Sequence, residues 1–151
     1  MLIPLVLGSL MVVGNMIIQI FVLLLMIRML MRRMAALPSH DNVVYQTRAL
    51  GALVFVLFFG HVLQFATWAV LFVYLGEFSD FATAFYHSSV NFTSLGYGDI
   101  VMSEKWRLLG GLEAANGVLM FGLSAGALLS MMNRMFARTV PDLPSSGGTG
   151  R

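Results

Sequence analysis

The chain has 151 residues, of which 58% are hydrophobic and only 11% charged; a soluble domain carries about 25% charged residues, so these residues are suited to lipid and leave no length for a regulatory soluble domain beside three membrane spans. The absence of Cys excludes disulfides, thiolate metal sites and a Cys nucleophile. A formal charge of +2, scattered along the chain, gives no basis for nucleic-acid binding.

Leu2 to Ile27 has no charged side chain. As a helix it reaches about 39 Å and crosses a ~30 Å hydrocarbon core with some tilt. No Lys or Arg precedes Arg28, so the segment lacks the positive start of a cleaved signal peptide and is expected to be a retained span. Gln19, its long polar side chain, is expected to hydrogen-bond a neighbouring helix. Arg28, Arg32 and Arg33 follow, then a linker in which Pro38 disfavours helix at Leu37 and Ser39 or Asp41 can cap a new one. Arg48 is expected to close this loop. The second span is expected over Leu50 to Leu75. His61, Gln64 and Trp68 share one of its faces at i, i+3 and i+7. An ionisable residue in a membrane is a functional candidate by default. For His61 the preferred reading is a neutral imidazole hydrogen-bonded to another helix.

Gly76-Glu77-Phe78-Ser79-Asp80 breaks the pattern, with Ser79 or Asp80 as N-cap of a short helix from about Phe81 to Phe92. That helix is too short to span and has the length of a re-entrant segment. Backbone that leaves a helix at membrane depth is tolerated when it is buried in protein or lines water. Such a stretch follows: Thr93-Ser94-Leu95-Gly96-Tyr97-Gly98-Asp99. Glycines alternating with larger residues give ready access to φ > 0 and allow successive carbonyls to face one side. A ring of such carbonyls, one strand per subunit, replaces the water around a dehydrated cation. Ile100 to Arg107 returns with Trp106, a residue type of the interfacial belt. A third span runs from Leu108 to Met132, carrying Glu113 and Asn116, and Gly122 and Gly126 at the spacing of close helix packing. The residues from Pro141 on are rich in Pro, Ser and Gly and are expected to be disordered. Arg28, Arg32, Arg33, Arg48, Arg134 and Arg138 lie on one side of this arrangement, and Lys105 and Arg107 on the other. The positive-inside rule then puts the first linker and the C-terminus in the cytoplasm, and the N-terminus and the re-entrant loop outside.

Ser94-Leu95-Gly96-Tyr97-Gly98-Asp99 resembles the selectivity filter of the tetrameric potassium-channel pore family, usually Thr-Val-Gly-Tyr-Gly-Asp, and Thr93 matches the Thr that commonly precedes it. The likeness runs from about Arg48 to Met135, as outer helix, pore helix, filter and inner helix, and the first span is an addition to this two-helix pore domain. The resemblance implies an all-α membrane protein with three transmembrane helices, a re-entrant pore helix and a filter loop, closed as a homotetramer in the lipid bilayer. It implies a potassium channel of the plasma membrane, of the prokaryotic inner-membrane type, with K⁺ as permeant ion at Thr93, Ser94, Leu95, Gly96, Tyr97 and Gly98. No cofactor and no enzymatic activity are expected. Tyr86 and His87 fall where many members carry two Trp behind the filter, so by resemblance Tyr86 bonds Asp99 and His87 bonds the Tyr97 hydroxyl. Val90 stands where some members have Glu. By resemblance Gly117 falls within one residue of the family's usual hinge glycine, counting from the filter, and Gly122 is a second hinge candidate. Ser for Thr and Leu for Val leave K⁺ binding in place and loosen the expectation of strict selectivity. Ser94→Thr is expected to pre-orient the hydroxyl through its branched Cβ. A weakly selective monovalent cation channel and a non-conducting accessory subunit are the alternatives.

The domain reading is residues 1–33 for the added helix, 34–48 for a cytoplasmic linker, 49–136 for the pore domain and 137–151 for the tail. Two motifs are discounted. Gly122-Leu123-Ser124-Ala125-Gly126 has the Gly-x-Ser-x-Gly spacing of a nucleophile elbow, which needs a strand-to-helix turn with His and acid partners, and it lies within a span, although His61 is a conceivable base. Asn91-Phe92-Thr93 is a glycosylation sequon buried in the pore stretch.

Overall fold

The structure, a computed structural model, describes residues 1–35 and 43–136. These form four helices, α1 Leu2–Ala35, α2 Val43–Tyr74, α3 Phe81–Phe92 and α4 Leu108–Phe136, with no strand among the described residues. Helices α1, α2 and α4 are each long and apolar enough to cross a membrane. The protein is therefore an all-helical, multi-pass membrane protein. Pro38, the Ser39 and Asp41 caps and the tail from residue 137 lie outside the described residues. Helix α2 starts before the expected Leu50, so Arg48 lies within it and does not close a loop. No Pro or Gly interrupts Val43 to Leu50, and helix simply continues towards the linker.

Helix α3 packs on α2 and α4, and α1 packs on α2 and α4 without reaching α3. The short helix has the bounds that its caps dictate. Asp80, in extended backbone, accepts from Thr83 N at 2.9 Å and takes up one of the unpaired amides of the first turn. The same amides hold the exposed Asp80 carboxyl below the usual carboxylate range.

Two apolar clusters hold the helices together. One gathers Phe65, Trp68, Phe72, Phe78, Phe92, Trp106, Leu109 and Met120 around the pore-helix region. The other joins Val22, Met26 and Leu30 to Leu53, Leu57 and Met131. Trp106 belongs to the first cluster, 8% exposed, with Lys105 Nζ 4.8 Å from its ring centroid. It is a core residue of the return loop, which the turn before α4 folds inward.

Candidate functional site

Two helices end with the same backbone device. At the end of α2, Glu77 N bonds Phe72 O at 3.0 Å and Gly76 N bonds Val73 O at 3.0 Å, with Gly76 at φ 74. At the end of α3, Leu95 N bonds Val90 O at 3.0 Å and Ser94 N bonds Asn91 O at 2.8 Å, with Ser94 at φ 58. Both are Schellman caps, whose residue just past the helix is left-handed and is usually Gly. Ser94 fills that place with a side chain, at a cost of about 1–2 kcal/mol. Gly96 and Gly98 follow at φ 58 and 71. Left-handed residues thus alternate along Ser94, Gly96 and Gly98.

Gly96 N also turns back to Val90 O, at 3.3 Å. The amides at the start of this run are therefore spent on the pore helix. Among the described residues, no hydrogen bond reaches the carbonyls of Thr93 to Gly98. Thr93 to Asp99 are exposed in the single chain. The Thr93 hydroxyl is bonded back to Ser89 O at 2.7 Å.

The end of the loop is tied down twice. Tyr86 Oη donates to Asp99 Oδ2 at 2.7 Å, the bond the resemblance implies. That bond holds the Asp99 carboxyl below its ordinary range and pushes the Tyr86 phenol up. Glu77 accepts from Ser103 N and from Ser103 Oγ, both at 2.7 Å, and so fastens the return loop to the turn before α3. Nothing in the spacing of these two residues announces the pairing. His87 does not reach the Tyr97 hydroxyl. Its Nδ1 donates to Ile100 O at 3.0 Å, and its Nε2 faces Asn91 Nδ2 at 2.8 Å. It is 5% exposed and packed against Phe72 and Phe78, and both of its ring nitrogens are engaged by Ile100 and Asn91. Burial holds this imidazole below its ordinary range, against the raising influence of the Ile100 carbonyl, Asp99 and Glu77.

Behind the loop, Glu113 is fully buried and pairs with Ser88, whose hydroxyl also lies 2.9 Å from Phe65 O. Ser88 has one proton for two acceptors. A protonated Glu113 that donates to Ser88 Oγ closes both contacts. Gly117 lies against the last turn of the pore helix, where a built Cβ would stand 1.8 Å from Phe92 O. Its lack of a side chain is a packing requirement, whatever bending it also permits. Gly122 and Gly126 have nothing within 4 Å of a built Cβ and are exposed. Their Gly-x-x-x-Gly spacing joins no other helix of the same chain.

A family model described as an ion channel matches residues 51–134, more than half of the chain. The chain belongs to this ion-channel family. Members are channels of the two-transmembrane-helix plan and not a class of enzymes. Helix α1 of the channel lies outside the match and is an additional helix. No curated protein and no solved structure matches the chain.

The pre-oriented hydroxyl expected of Ser94→Thr implies a lower Na⁺/K⁺ permeability ratio, and the cap at Ser94 reverses that expectation in this channel. A β-branched residue is a poor occupant of φ > 0. Ser94→Thr is expected to reduce thermal stability in detergent and to reduce current, without sharpening selectivity, whereas Ser94→Gly should raise stability. A Ser94→Thr channel as stable as wild type with a lower Na⁺/K⁺ permeability ratio would show that the loop leaves this conformation when it conducts.

Proposed function

We propose that the channel is a homotetrameric K⁺ channel of the plasma membrane whose filter is Thr93 to Gly98. The observation that carries this reading is the run of six carbonyls without donors, set between two membrane spans and directly after a capped re-entrant helix. At membrane depth such oxygens need a partner, and a dehydrated cation held between identical strands supplies one. One chain contributes one strand, and fourfold closure of identical chains completes the ring. The exposed Gly122 and Gly126 face then meets neighbouring copies or the central cavity. The pore-helix C-termini direct the negative ends of their dipoles at the permeant ion.

Residues 49–136 form the pore unit in this reading and 1–33 the added helix. Tyr86, Asp99 and His87 support the filter from behind. The arginines near the cytoplasmic ends of α1, α2 and α4 orient the N-terminus and the filter's outer end outward, by the positive-inside rule.

The test is a reversal potential. Purified protein in a planar bilayer, with K⁺ on one side and Na⁺ on the other, should reverse near the K⁺ equilibrium potential. Reversal near zero would identify a weakly selective cation channel. Absence of current from protein that assembles would identify an accessory subunit.

A further inference from the structure

Four buried polar side chains form a closed ring between the two apolar clusters, at the level where α1, α2 and α4 meet. Gln64 Nε2 donates to Gln19 Oε1 at 2.9 Å, and Gln19 Nε2 donates to Ser124 Oγ at 2.8 Å. Ser124 Oγ lies 3.1 Å from His61 Nε2, and His61 Nδ1 lies 3.3 Å from Gln64 Oε1. Gln19 comes from α1, His61 and Gln64 from α2, and Ser124 from α4. None is more than 6% exposed.

The donor count fixes the chemistry of the ring. Each member gives one hydrogen and receives one, all in the same rotational sense. With Nδ1 protonated and Nε2 bare, His61 takes the Ser124 hydroxyl proton and gives its own to Gln64. Turning both amides reverses every bond and requires the other tautomer. Both senses keep the imidazole neutral; an imidazolium donates from both nitrogens, so Ser124 would accept from Gln19 and His61 together and turn its own proton out of the ring. This closure also separates the site from a Ser–His nucleophile. Ser124 lies within a helix with its oxygen engaged by Gln19, and His61 is oriented by an amide where a Ser-His-Asp triad uses an acid.

The ring fastens α4 two turns beyond Gly117, on the part of the inner helix that leads away from the filter. Of its three clamping partners, Gln19 belongs to α1, the helix that the family match does not include. We infer that the ring is a latch through which α1 sets the balance between conducting and closed positions of the inner helix, with Gln19 and Ser124 as its positioning residues. The inference rests on the channel reading above. A linkage of this kind shows itself as a coupling energy between two residues acting on one equilibrium.

Two measurements test it. The first does not depend on conduction: side-chain ¹⁵N NMR of histidine-labelled protein in bilayers, read at His61 by difference from His61→Gln. Wild type should show one neutral tautomer with a hydrogen-bonded bare nitrogen, and Gln19→Met, which opens the ring and frees its sense, should show both tautomers. An imidazolium in wild type, or a signature untouched by Gln19→Met, overturns the ring. The second is single-channel recording of Gln19→Met, Ser124→Ala and the double variant. Each single variant should shift the ratio of open to closed time roughly three- to tenfold in the same direction, with unitary conductance and reversal potential unchanged. The double variant should equal either single one. Additive shifts, or a changed unitary conductance, overturn the latch. If wild type conducts nothing, the channel reading falls with the latch, while the NMR result still decides the ring. Should Ser124→Ala fail to assemble, Ser124→Cys, which keeps a weak donor and acceptor, should give an intermediate shift, and a wild-type ratio there overturns the latch.

Discussion

Gly117→Ala is expected to destroy the channel. The added methyl would stand 1.8 Å from the carbonyl oxygen of Phe92, 2.7 Å from its carbonyl carbon and 2.9 Å from its ring. A flexible side chain could move aside, but two of these three atoms are backbone. Phe92 is held in turn, since the residues around it carry the Schellman bonds that end the pore helix. Its ring is packed against Phe65, His61 and Phe121 at centroid distances of 5.0, 6.2 and 5.7 Å. Overpacking of this kind costs about 1–3 kcal/mol, and more where backbone must shift. Relief requires α3 and α4 to separate, and the proposed filter hangs from the end of α3. The expected result is a melting midpoint in detergent lowered by several degrees or more, and no measurable current. Gly14→Ala, on α1 with open space around its Cα, is the control and should leave both unchanged. A hinge without the contact gives another outcome: unchanged stability with altered opening. Normal stability and normal current in Gly117→Ala would contradict the geometry described here.

External acid is expected to close the channel through His87. The neutral ring donates from Nδ1 to Ile100 O and accepts at Nε2 from Asn91 Nδ2. A proton on Nε2 sets donor against donor. The Asn91 amide must turn over to present its oxygen to the ring, so the contact as built is lost. Protonation therefore breaks a support of the loop and adds a positive charge behind the proposed filter. The sign follows from burial, which lowers the folded-state value below the ordinary histidine value of about 6.5. The folded protein then holds fewer protons on this group than the unfolded chain. The stabilisation is fully present above about 6.5 and is lost as pH falls through the lowered folded value. Current should hold from external pH 7.5 to 6.5, then fall severalfold towards 4.5. His87→Gln should flatten this response, and His61→Gln should retain it. A midpoint at or above 6.5, or a response that disappears only with His61→Gln, would refute the assignment.

Much of the architecture was legible because the signals for it are local. Uninterrupted apolar length marks the three spans, and Asp80 after a polar break marks the start of the pore helix, since a cap needs only the next three residues. The left-handed loop after it was legible in part for the same reason, through the glycines Gly96 and Gly98. The Tyr86–Asp99 bond came from resemblance and is present. The His87–Tyr97 bond, drawn the same way, is absent, because both ring nitrogens are engaged by Ile100 and Asn91.

Gln19 and His61 mark the limit of what pattern carries. Their polarity in an apolar span says that each must find a hydrogen-bond partner, and each does. Which partner, and that Gln64 and Ser124 close a ring with them, depends on how three helices are rotated and staggered. Ser94 is a similar case at shorter range. Without glycine, nothing in its identity signals a left-handed cap, and the backbone takes that form because two bonds to Asn91 and Val90 close around it. The sequence by itself determined the membrane class, the order of helices and the place of the loop with alternating left-handed residues, since periodicity, caps and glycine spacing act within a few residues. Only the tertiary structure decided that Gly117 is a contact, that His87 serves Ile100 and that α1 is bonded to the inner helix. Those facts rest on distances between residues far apart in the chain, and packing sets such distances.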